Sequence, residues 1–108
     1  MHFIQGKWEI LATSKMTGDM PSVCEFTVNP DGQTFEGVMH DQKSGKDFPF
    51  KNGKIVDDRT VTMDAAMKIG ILPVSLSMTS HISEDGNSCQ GEAKALMVQA
   101  TFTGKRVG

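Results

Sequence analysis

The run Phe50-Lys51-Asn52-Gly53-Lys54-Ile55-Val56 decides the strand count. Taken alone, Asn52-Gly53 is a two-residue hairpin turn, the strongest short-range signal of its kind. That reading gives nine strands. A similar run closes the chain, Phe102-Thr103-Gly104-Lys105-Arg106-Val107, with one residue fewer. There it can only be a single closing strand. If the two runs are equivalent, 50–56 is also one strand and its extra residue is a β-bulge. Other matches point the same way: Met20-Pro21 with Leu72-Pro73, Gly18 with Gly70, Asp31-Gly32 with Asp85-Gly86, and Gly37 with Gly91. The expected organisation is one domain over residues 1–108, built from tandem halves at about 5–56 and 58–107, each of four strands.

Alternation with period two supports this throughout, and long helical patterns are missing. Val74, Leu76, Met78, Ser80 and Ile82 share one face, with Ser75, Ser77, Thr79 and His81 on the other. Val61, Met63, Ala65 and Met67 alternate in the same way, as do Cys24, Phe26 and Val28, and Cys89, Gly91, Ala93 and Ala95. Turn residues separate the runs at Asn29–Gly32, Ser44-Gly45, Asp57-Asp58 and Glu84–Asn87. The strands are expected at 6–13, 21–28, 33–39, 46–56, 59–67, 73–82, 88–95 and 98–107. The fold class is therefore all-β, an eight-stranded antiparallel up-and-down meander barrel, with a two-sheet sandwich as the alternative.

Composition narrows the function classes. Hydrophobic residues make up 38% and charged residues 22%, too apolar for a disordered tail and too polar for a membrane span. The uncharged stretch from Ile69 to Ser80 contains Gly70 and Pro73, so no membrane helix is expected. The lysines are scattered and the net charge is -2, which argues against nucleic acid. The N-terminus lacks a basic region followed by an apolar one, so the expected location is cytoplasmic. Cys24 and Cys89 are then expected to be reduced and to pack as small hydrophobes. No metal-ligand spacing occurs, Met with His for copper(I) included, and no cofactor is expected.

Gly6-Lys7-Trp8 opens the first strand and Arg106 lies near the end of the last. This resembles the calycin signature shared by lipocalins, fatty-acid-binding proteins and avidins. The resemblance implies a barrel in which Trp8 packs under Arg106 and closes one end, with Gly6 beside them. It carries over to these three residues. It does not extend to a particular ligand, because the chain is short for a calycin and has no flanking helix or avidin-type polar pocket. The sequence is also similar to uncharacterised small bacterial β-barrel domains, which implies a fold and no activity.

Eight strands also fix which loops share an end. Tight polar turns gather beside Trp8 and Arg106. The other end collects Ser14–Asp19, His40–Gly45, Lys68–Leu72 and Leu96-Met97, and it is rich in apolar residues. Eight of the 108 residues are Met and none is Tyr, and most of the internal methionines fall here. Methionine adapts to irregular apolar partners. The candidate ligand-binding residues are Met16, Met20, Phe26, Met39, Phe48, Met67, Met78, Ser80, Leu96 and Met97, with Ser80 the best polar handle inside. Gly37, Gly91, Ala65, Ala93, Ala95 and Ala100 are small inward positions, and Phe26, Phe35, Phe48, Phe50 and Phe102 large ones. Such a mixture fills a taper or leaves a cavity. The leading expectation is a binding module for an apolar small molecule at the Met-rich end. The rivals are a structural or interaction domain with a filled core, including a homodimer, and a small barrel isomerase or cyclase. The enzyme reading needs a paired acid and base inside. His40, the nearest candidate base, has no partner in sequence spacing, so an enzyme is the weaker expectation.

Overall fold

The computed structural model describes residues 2–15, 18–69, 71–95 and 98–108. Its strands are β1 (Gly6–Ser14), β2 (Gly18–Val28), β3 (Thr34–Asp41), β4 (Asp47–Asp57), β5 (Thr60–Ile69), β6 (Leu72–Ile82), β7 (Ser88–Lys94) and β8 (Gln99–Arg106). Each strand pairs antiparallel with the next, and β8 returns to β1, so the sheet closes into a barrel. Closure removes the open edges that a flat sheet would expose, apart from short one-sided extensions at the rim. No helix among the described residues is long and apolar enough to cross a membrane.

Asn52-Gly53 lies inside β4, not between two strands. Asn52 takes φ 55°, and the register of β4 shifts between Lys51 and Lys54 against β5 and between Phe35 and Val38 against β3. One extra residue is absorbed as a bulge that bends the strand. The matching run in β8 is one residue shorter and holds an unbroken register on both sides.

Several strands run further toward the Met-rich end than their sequence suggests. Pro21, Pro49 and Pro73 all lie within strands. Each sits where the register joins only one neighbour. Pro21 pairs with Leu11 before β3 joins at Ser22, Pro49 with Val38 before β5 joins at Phe50, and Pro73 with Lys68 before β7 joins at Ser77. A proline has no N–H to give a second neighbour, so it is tolerated on such one-sided extensions. The β5–β6 hairpin thus stands up on both sides as part of the rim, while β1 stays paired with β8 and only β2 extends beyond its neighbour β3.

The two halves of the interior differ. Toward the tight polar turns it is solid. Phe26 stacks on Phe50 with ring centroids 5.3 Å apart and meets Phe35 edge-on at 5.6 Å. Ile4, Trp8, Cys24, Val61, Met63, Ala65, Ile82 and Cys89 complete this cluster, with Ala65 at its upper boundary. Phenylalanines face glycines directly across the ladder, in the pairs Phe26–Gly37, Phe35–Gly53 and Phe102–Gly91. A Cβ on Gly91 would sit 1.9 Å from the Thr79 carbonyl oxygen and 2.6 Å from the Phe102 ring. The missing side chains let the rings lie across the neighbouring strand, as curved sheets require.

The solid end is sealed by a plug. Ile4 is buried beneath the barrel, and its carbonyl accepts a hydrogen bond from the Trp8 indole Nε1–H at 3.0 Å. The Arg106 guanidinium lies 4.5 Å from the indole ring centre. Its Nε donates to the Gly86 carbonyl at 2.9 Å and its Nη1 to the Gln5 carbonyl at 2.6 Å, while Nη2 donates to the Phe3 carbonyl. Gly6 turns beside it at φ 125°, where a Cβ would meet Arg106 Nη1 at 2.5 Å.

Candidate functional site

Above the phenylalanine cluster several inward positions are small, while Leu76, Val98, Ala93 and Ala100 form a second, smaller buried cluster. Ala12 on β1, Ala65 on β5, Ala93 on β7 and Ala100 on β8 replace the aromatic rings. They leave a cavity of about 610 Å³ open at the Met-rich end. Ligand sites usually span about 300–1,000 Å³. Met39, Leu76, Phe48 and Met67 line its walls with the alanines. Met78 and Phe102 form its floor, because they also border a separate void of about 20 Å³ below, no larger than one water.

The residues expected at the site separate accordingly. Met20, Met39, Phe48, Met67 and Met78 line the cavity. Phe26 is in the solid half, stacked on Phe50, and Ser80 is buried against the small lower void. Met16, Leu96 and Met97 lie outside the described residues. Phe26 and Phe48 share the inward phase, but Phe26 lies near the closed end of β2 and Phe48 near the open end of β4.

Polar groups at the cavity sit almost entirely at its mouth. Ser22 is the deep one, buried and 3.7 Å from the Cys24 sulfur. The rim carries Asp41, Lys43, Ser44, Lys46 and Lys68. Sequence reasoning passed over these lysines, since lysines in loops are usually just solvated. Asp41 is a turn former. Its carboxylate accepts from the Ser44 hydroxyl at 2.6 Å and from the Ser44 and Lys43 amides at 3.1 and 3.4 Å. Partial burial works against its ionised form, yet these hydrogen bonds prevail and hold the carboxyl below the usual aspartate range.

His40 is not in the cavity. It sits on the outer wall of β3 between two carboxylates, with Nδ1 2.6 Å from Asp47 and Nε2 2.9 Å from Glu25. Both nitrogens can donate at once only in the imidazolium form. The bond to Asp47, followed by that to Glu25, raises its pKa above the ordinary 6.5. The sign follows from linkage: a raised folded-state pKa gives stability that is complete below the unfolded value and lost as pH rises through the folded one. Thermal melts at about pH 6 and about pH 8.5 should show a larger drop for the parent than for His40→Gln. Equal drops would show that the cluster contributes nothing.

Both cysteines are free and buried. Burial pushes the Cys24 thiol up to about 12, against a smaller lowering by Ser22. Burial likewise raises Cys89, and the Ser80 hydroxyl opposes it. The thiolate is the reactive form. Iodoacetamide at about pH 8 should therefore leave both unlabelled in the folded protein and label both in denaturant. Rapid labelling of either in the folded state would contradict this.

No protein-family model matches the sequence, and no curated protein matches it. Solved structures do resemble it in fold. A redesigned beta barrel, b11L5F_LGL, superposes with a TM-score of 0.76 at 10% identity, covering 98% of this chain and 93% of that one. A second redesigned beta barrel, mFAP1, solved bound to DFHBI, gives 0.73 at 12% identity, covering 96% and 95%. The chain is similar to both in architecture, that of a small closed barrel.

Proposed function

We propose that this protein is a small-molecule-binding barrel that takes an apolar ligand in the cavity at its Met-rich mouth. The observation that carries the reading is the division of the interior, solid below Met78 and Phe102 and hollow above them. A barrel needing only a core would continue the aromatic filling upward. Alanines on β1, β5, β7 and β8 instead keep the upper half open. Methionines around it supply a surface that adapts to an apolar guest. That mFAP1, a barrel of this architecture, holds DFHBI supports a ligand as the occupant. The stacking of Arg106 on Trp8 supports a calycin-like closure of the other end. Two buried free thiols support a reducing, cytoplasmic setting.

Titration with the uncharged dye N-phenyl-1-naphthylamine tests the reading. Saturable fluorescence at one dye per barrel is expected, weakened when Met39 and Met67 are both replaced by Gln. An absence of saturable uptake would overturn it.

A second reading rests on Ile71 and Leu72 at the β5–β6 turn, 96% and 58% exposed. Large apolar side chains in water at the rim favour self-association through the open end. Sedimentation equilibrium of the parent against Ile71→Asp tests it. A parent that remains monomeric would remove this reading.

A further inference from the structure

We infer that the ligand is an amphiphile with an anionic head, held so that its apolar body enters the barrel and its head stays among Lys43, Lys46 and Lys68. The inference rests on the cavity being a ligand site and goes further by assigning the head-group chemistry. The three lysines border the mouth, and none is in an ion pair with another described residue. The carboxylate that shares the rim, Asp41, is engaged by the Ser44 hydroxyl and amide. The other acidic groups at this end are also engaged, Asp19 by the Thr13 hydroxyl and Asp47 by His40. A hydrogen bond does not cancel a carboxylate's charge, and Asp41 interacts with Lys43. The described lysines at this end, Lys15, Lys43, Lys46, Lys68 and Lys94, still outnumber the carboxylates Asp19, Asp41 and Asp47.

Charge along the barrel agrees. The turns at the closed end carry Asp31, Asp57, Asp58, Glu84 and Asp85 against Arg59, with Arg106, Lys7 and Lys105 on the adjoining strand ends. In a protein of net charge -2, the mouth is thus the less negative of the two ends. Such a distribution steers an anion to the opening. Among the described residues that line the cavity below the rim, Ser22 is the hydroxyl and the rest are alanine, methionine, leucine and phenylalanine. A charged group would lose its hydration there without a partner, so the head stays at the rim. A fully apolar guest would leave the lysines without a role, and a cationic head would be repelled by them.

Isothermal titration with decanoate, decanol and decyltrimethylammonium separates the cases, since the three share a ten-carbon chain and differ in head charge. Decanoate is expected to bind about tenfold tighter than decanol, and decyltrimethylammonium weakest, as charges a few ångströms apart in a wet site would give. Raising salt from about 0.1 to about 1 M shortens the screening length from about 10 to about 3 Å and should erase most of the preference. In the triple variant Lys43→Gln, Lys46→Gln, Lys68→Gln the decanoate-to-decanol ratio should fall close to one. Circular dichroism and the melting temperature check that the variant is folded. Equal binding of decanoate and decanol by the parent would overturn the anionic head while leaving the apolar cavity standing. A preference that survives in the triple variant would overturn its assignment to these lysines. Binding of none of the three would overturn both this inference and the ligand-site reading.

Discussion

Replacing Trp8 with alanine is expected to destabilise the protein by about 3–5 kcal/mol, the range for a large buried aromatic. Trp8 is the largest side chain fully removed from solvent, and several independent contacts depend on it. Its indole N–H satisfies the Ile4 carbonyl, which would be left unpaired in a buried place. Its ring receives the Arg106 guanidinium, a cation–π contact of about 1–2 kcal/mol when desolvated. The space it vacates adjoins the 20 Å³ void already bordered by Trp8, so the lower core would gain a cavity with little to collapse into it. Domains of this kind are stable by about 5–15 kcal/mol, so the variant would be marginal. Arg106→Lys should cost less, since it keeps the cation but loses the fork that reaches Gly86, Gln5 and Phe3 together. Urea unfolding measures both. A loss below about 1 kcal/mol for Trp8→Ala would show that the plug does not hold the closed end.

The barrel itself was legible because closure puts one side of every strand inward. Alternation at Val61, Met63 and Ala65 or at Cys24 and Phe26 therefore carries through to burial, while Met67 and Val28 at the ends of the same runs are half-buried. Comparing the two similar runs turned Asn52-Gly53 from a hairpin into a bulge, and the φ of 55° at Asn52 is the backbone form of that extra residue. The division of the interior was not legible. Alternation says that Phe35 and Ala65 both point inward, but only register says that Phe35 faces Gly53 and that Ala65 lies between Phe50 and Leu76, at the boundary of the two halves. Register across strands depends on turn lengths and on the bulge, and no single run of sequence shows it. Ile4 escaped because it precedes the first strand and belongs to no alternating set. It is buried because the N-terminal segment folds under the barrel, where the Gln5 side chain accepts from the Val28 amide. The rim lysines escaped for a related reason. Lys43 and Lys68 are far apart in sequence, and only the meander brings their hairpins around one opening. His40 was legible as a residue near the open end. Its place on the outer wall follows from β3 continuing to Asp41, beyond the expected end of the strand.

Filling the upper barrel should separate a hollow interior from a packed one by the sign of its effect. Ala12 and Ala65 face the cavity from opposite walls, four strands apart around the barrel. Changing both to leucine adds three carbons at each position. If the space is a true cavity, the new side chains occupy it and remove apolar surface from water, at about 0.8 kcal/mol per buried methylene. Part of that gain is lost because the mouth is open and each leucine gives up rotamer freedom. The double variant should therefore match the parent in stability or exceed it by about 1–2 kcal/mol. In a packed core the same two changes would force neighbours off their rotamers and cost about 1–3 kcal/mol each. Binding should move the other way. Two leucines meeting above Met78 and Phe102 block the route to the floor of the cavity, and uptake of N-phenyl-1-naphthylamine should fall at least about tenfold. Stability retained with binding lost is the signature of a site kept open at the expense of core packing. A double variant that is destabilised by several kcal/mol would mean that the alanines are core, and one that binds the dye as the parent does would place the dye elsewhere.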